Sequence, residues 1–227
     1  SDEKDIVMPV ASTVLPPDKD TQNADNALPS DADFEYKMQN YIAGDTARDT
    51  KNPSEVLGMA VFSDDRLIGL CGSTETEIYN MLTGNFNINY TTFYNSISNS
   101  PVTVKLEQAR KPKIHTDISG ENPKIDIKLY FESEFLGLPG NYYYEKDLEN
   151  FENEVKEYIR LAAMKFLTKT QTEYNSDVLG LGTQIKSKFK TQTDYTNYDF
   201  KSKYKDVEFN IDVNYKVRRT GLIMREN

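Results

Sequence analysis

Between Asp147 and Tyr174 the apolar residues Leu148, Phe151, Val155, Tyr158, Ile159, Ala162, Ala163, Phe166 and Leu167 recur at steps of three and four. That spacing sets them on one face of a single long helix. The opposite face carries Glu149, Glu152, Glu154, Lys156, Glu157, Arg160, Lys165 and Lys169, acids toward the start and bases toward the end, as the helix dipole favours. Glu152 and Lys156 stand four apart as a supporting pair. A helix of roughly 28 residues is on the order of 40 Å long. Burying about nine such side chains is worth roughly 15–25 kcal/mol before chain entropy is subtracted. Such a face needs an apolar partner of matching size. The rest of the chain reads as strands, so the partner is a sheet.

The strands show by alternation. Leu57–Phe62 and Arg66–Cys71 are short apolar runs around Ser63-Asp64-Asp65, the pattern of a hairpin with an acidic turn. Ser73 or Thr74 then caps a short helix with Glu75 and Glu77 in its first turn, Ile78, Met81 and Leu82 as its stripe and Gly84 at its end. Phe86, Ile88 and Tyr90 share one strand face; Val102, Val104 and Leu106 share another, with Thr103, Lys105 and Glu107 turned away. A separate strand is expected over Ile114 to Ile118. After a turn at Gly120–Pro123, the next carries Ile125, Ile127, Leu129 and Phe131. Gly137–Gly140 breaks it ahead of the long helix. Beyond that helix, a shorter one is expected from about Thr183 to Phe189, and Tyr195, Tyr198, Phe200 and Tyr204 pack as a helix or irregularly. Val207, Phe209, Ile211, Val213, Tyr215 and Val217 alternate without a break as the final strand. The fold class is α+β: an antiparallel β-sheet packed against one long amphipathic helix and shorter helices.

Ahead of this unit, Ile6 to Val14 is a short apolar piece ending at Pro16-Pro17, and Asp18 to Asp33 has linker composition. The expected organisation is a remnant of a preceding domain over 1–17, a linker or loosely docked segment over 18–55, and an α+β domain over 56–227. The chain opens on Ser1 rather than Met, which suggests an excised fragment with any targeting signal upstream.

Composition narrows the function. A net charge of −9 argues against nucleic acid as partner. Cys71 is the only cysteine, so neither an intramolecular disulfide nor a cysteine-built metal site is available. His115 is the only histidine and lies in a strand, a surface or structural histidine by its context. Glu75 and Glu77, two apart on a helix, make a poor acid–base pair. Gly180-Leu-Gly182 is half of a dinucleotide fingerprint and follows a helix rather than a strand. No cofactor, metal site or catalytic group is expected. Two stretches favour partner contact instead. Tyr142, Tyr143 and Tyr144 cannot all enter one core. Arg218 and Arg219 straddle the two faces of the last strand, where one pairs with helix carboxylates and the other reaches solvent, lipid headgroups or a partner.

The ending Val217-Arg-Arg-Thr-Gly-Leu-Ile223 behind a long alternating strand resembles the C-terminal signature of the Ger(x)C family, the lipoprotein C subunit of bacterial spore germinant receptors. Gly58-Met-Ala-Val-Phe62 with Asp65-Arg-Leu-Ile-Gly69 looks like that family's hairpin, Glu75-Thr76 like the Glu-Thr after it, and Ser176-Asp-Val-Leu-Gly-Leu-Gly182 like its turn beyond the long helix. The resemblance spans 58 to 223. It implies the third, C-terminal domain of a non-enzymatic receptor subunit that acts in germination through protein–protein contacts. It also implies an upstream lipidated cysteine at the outer face of the spore inner membrane, and germinant receptor A and B membrane subunits as partners. The other reading open at this point is an extracytoplasmic domain that binds a small nutrient or carbohydrate; a hydrolase would need a nucleophile–base pair that the sequence does not offer.

Overall fold

The computed structural model describes residues 58–219 except 64, 96–99 and 138–143. The segments expected over 1–17 and 18–55 lie outside the described residues. Strands β1 (Met59–Ser63) and β2 (Arg66–Cys71) form the expected antiparallel hairpin. Helix α1 (Ser73–Thr83) follows, ended by Gly84 in the left-handed region. Its cap is Gly72 rather than Ser73 or Thr74: the Gly72 N–H donates to Glu75 Oε2 at 3.1 Å.

The main sheet has the order β3-β4-β5-β6, formed by Ile88–Asn95, Ser100–Asp117, Lys124–Gly137 and Glu208–Arg219. β3, β4 and β5 are an antiparallel meander, as expected. β6 lies parallel to β5, with Glu208 beside Lys124. Between them the helix α2 (Tyr144–Lys169) returns the chain to the end of the sheet where β5 began, and a parallel neighbour requires such a crossover. The α+β expectation holds, with a mixed rather than purely antiparallel sheet.

β4 is one strand of 18 residues where two were expected. Its register against β5 slips between Gln108 and Arg110 and again between Arg110 and Lys113. Each slip flips the inside–outside parity, so two restore it and Ile114 and Thr116 face the same side as Val102, Val104 and Leu106. β3 also departs from expectation. Phe86 precedes the strand and is buried edge-on against Phe131, whereas Ile88 and Tyr90 are 48% and 61% exposed on the outer face.

The core lies between the inner face of the sheet and α2. Val102, Val104, Leu106, Ile125, Ile127, Leu129, Phe131, Ile211, Val213 and Tyr215 meet Phe151, Val155, Ile159, Ala162, Ala163, Phe166 and Leu167, all buried. Phe151 is the hub, with Phe93, Phe135 and Tyr215 ring centroids at 6.2, 5.5 and 6.3 Å. α2 passes into a π-helical turn, Thr170–Tyr174, closed by Asn175 at φ 46°. Short helices α3 (Leu181–Lys186), α4 (Gln192–Tyr198) and α5 (Phe200–Lys203) follow, α3 beginning earlier than expected because Leu181 is fully buried.

Candidate functional site

Two places gather the residues that sequence reading singled out. The first is the joint between the hairpin, α1 and the end of α2. The π-turn swings Tyr174 under β2, where its hydroxyl donates to the Leu70 carbonyl at 3.0 Å and lies 3.5 Å from Cys71 Sγ. Gly69 makes room for that ring: a Cβ there would stand 2.2 Å from Tyr174 Cε1. Gly58, at φ +87°, approaches the far strand so closely that a Cβ would lie 2.2 Å from the Cys71 carbonyl oxygen. Lys169 Nζ binds Glu75 Oε1 at 2.7 Å and lies 5.3 Å from the Tyr174 ring centroid. Glu75 thus ties α1 to α2 with one oxygen while capping α1 with the other. Beyond the turn, Asp177 Oδ2 accepts the Gly182 N–H at 2.7 Å, and Gly182 packs where a Cβ would meet Phe200 at 3.1 Å.

The ionisable groups of this joint are tuned for holding rather than reacting. Burial, only partly offset by the Tyr174 hydrogen bond, pushes the Cys71 thiol up to about 11. A thiol that keeps its proton is a poor nucleophile. Burial pulls the Lys169 ammonium down, but its contacts with Glu75 and Tyr174 outweigh that, so it ends above its ordinary range and stays charged. His115 is exposed on β4, opposite Asp126. Among the described residues no cluster of three His, Cys, Asp or Glu side chains is arranged to hold a metal ion.

The second place is the end of the sheet where β5 and β6 finish and α2 starts. Glu152, expected on the solvent face beside Lys156, is 5% exposed and turns to β6. It accepts the Val217 N–H at 3.0 Å and Lys216 Nζ at 2.5 Å, while Lys156 bonds Asn153 instead. Sequence periodicity carried no sign of this clamp. The position of Glu152 on the helix is polar, and its partners are set by how far α2 runs along β6. Of the two terminal arginines, one of which was expected to take a helix carboxylate, Arg218 takes a sheet carboxylate. It points to the outer face and pairs with Glu132 of β5 at 2.9 Å, because strand alternation turns it away from α2. Arg219 closes β6 and Tyr144 opens α2, so the two stretches expected to meet partners border the same end of the fold. Tyr142 and Tyr143 lie outside the described residues.

The outer face of the sheet is open to solvent. Arg110 and Lys113 lie over the Tyr130 ring at 5.1 and 5.9 Å, and Lys124 and Lys128 pair with Glu208 and Asp212. Lys105, Glu107, Glu132, Ser133, Glu134 and Arg218 line a shallow depression of about 170 Å³. Small-molecule sites usually enclose about 300–1,000 Å³, so this depression is smaller than such a site.

The family described as "Spore germination B3/ GerAC like, C-terminal" matches residues 57–221. The chain belongs to this family. Its fold is that of the GerBC protein, whose crystal structure superposes with a TM-score of 0.59 at 17% identity. The superposition covers 71% of this chain and 51% of that one, so the chain spans about half the length of GerBC. No curated protein matches the sequence. Within this GerAC-like domain, the hairpin glycines, the Glu-Thr pair and the Ser-Asp turn are joints of the fold.

Proposed function

We propose that the chain is a non-enzymatic domain of the C subunit of a spore nutrient germinant receptor, acting in germination through protein–protein contacts. The observation that carries this reading is the family match over 57–221, supported by the GerBC-like fold. The proposed partners are the A and B membrane subunits. The residues proposed to make the contacts are Tyr142, Tyr143, Tyr144, Arg218 and Arg219. Among the described residues no helix is long and apolar enough to cross a membrane. In this proposal an upstream lipid anchor holds the full protein at the outer face of the spore inner membrane.

The test is nutrient-triggered germination, followed by dipicolinate release, in spores that lack the gene and in spores complemented with it. A response lost in the deletion and restored by the gene, with A and B subunits co-purifying with the tagged protein, is the expected result. Complemented spores whose C subunit purifies free of both partners would overturn the reading.

A further inference from the structure

The hairpin has one face in the core and one turned away from it. Met59, Val61 and Cys71 are buried, and Ile68 packs against the same core. Directly opposed residues share a face, so Ala60 and Leu70, and Phe62 and Leu67, lie together on the other side. The register slip between Val61 and Phe62 sets this arrangement. Strict alternation from Cys71 would send Ile68 outward and Leu67 inward, and the bulge reverses both. Leu67 and Leu70 are consequently 50% and 46% exposed beside Phe62. Grouped apolar side chains of this kind mark a contact surface, where single ones do not.

The chain ahead of Gly58 is tethered at the foot of this patch. Gly58 enters β1 against the Cys71 carbonyl, one residue from Leu70. Among residues 1–57, Phe34, Tyr36 and Met38 alternate with Asp33, Glu35 and Lys37. A period of two gives that segment one apolar and one charged side, the pattern of a cover that is dry beneath and wet above. The other apolar piece, Ile6 to Val14, opens with Ile6, Val7 and Met8 in succession and has no such polar side. Residues 43–57 join Ile42 to Gly58, and a stretch of that length reaches up to about 50 Å, against roughly 20 Å for a strand the length of β2. The tether makes docking intramolecular, at an effective concentration on the order of millimolar, which a free partner would have to exceed.

We propose that the segment Phe34–Ile42 folds back over the outward face of the hairpin, laying Phe34, Tyr36 and Met38 on Phe62, Leu67 and Leu70. The patch is then an internal joint between the hairpin and the chain that leads into it, and Asp33 and Glu35 remain in water.

The chain has no tryptophan, so Leu67→Trp installs a single fluorescent reporter in the patch. In the full 227-residue chain its emission is expected to be blue-shifted and shielded from acrylamide. Adding F34S, Y36S and M38S, all ahead of Gly58, removes the apolar side of the segment. Emission is then expected to move to the red and quenching to rise at least about 2-fold, as for a cover present in most molecules and now lost, with an unchanged circular dichroism spectrum. Leu70→Trp, read the same way, is expected to repeat the result. Reporters fully open to acrylamide beside the unaltered segment, quenching that F34S, Y36S and M38S leave unchanged, or shielding that grows with protein concentration, the mark of a second copy, would overturn the proposal.

Discussion

The joint between hairpin, α1 and α2 contrasts with the outer face of the sheet. At the joint, Gly58, Gly69, Glu75, Lys169, Cys71 and Tyr174 interlock within van der Waals or hydrogen-bond distance, and burial fixes each one's identity. On the outer face, Arg110, Lys113 and Glu107 stand in solvent, and their identities are loosely constrained by the fold. The residues that carry the family resemblance at the hairpin and the turns lie in the first region. At the hairpin and the turns the signature therefore marks how the domain is built.

Substitutions can break or sharpen this contrast. The largest effect is expected from Gly58→Ala. The backbone there is left-handed and the added methyl would meet a carbonyl oxygen that cannot swing away. A loss of about 3 kcal/mol or more in urea unfolding is expected; a loss below about 1 would show that the joint is looser than described. Next comes Glu152→Ala, which leaves the Val217 N–H and Lys216 without their acceptor. A cost of about 1–3 kcal/mol is expected, with Glu152→Gln, which keeps one acceptor, costing less.

Cys71 offers a pH test of smaller size. Its thiol pKa is raised by folding from 9.0 to about 11, so the folded state holds this proton more tightly than the unfolded chain. The stabilisation is complete below pH 9.0 and is lost as pH rises toward about 11. Stability measured over that window is expected to fall more steeply in wild type than in Cys71→Ala. Equal slopes would mean that the thiol is not held as described. The smallest effect is expected from Arg218→Ala, whose ion pair with Glu132 is 62% and 38% exposed. It is expected to change stability by about 0–1 kcal/mol, measured by the same unfolding.

Sequence reading succeeded where one face of an element is buried along its length. The apolar stripe of α2 and the alternation of Ile211, Val213 and Tyr215 state their own faces. It failed where a partner is set by register between distant segments. The polar run around Pro112 reads as a break, yet two slips carry β4 through it. Ile88 and Tyr90 show alternation but not which side is wet. Glu152 leaves the expected pair with Lys156 because the lie of α2 along β6 brings it to the Val217 N–H, and Arg218 meets a sheet carboxylate, Glu132. No pattern in the chain states that Arg218 meets Glu132.

The most direct test of the account replaces Arg218 and Arg219 by glutamate and measures dipicolinate release after a defined nutrient, alongside the thermal unfolding midpoint of the purified variant. The account predicts slowed or abolished release with an unchanged midpoint, since these arginines make contacts and the joint makes the fold. Normal release with a native midpoint would contradict it.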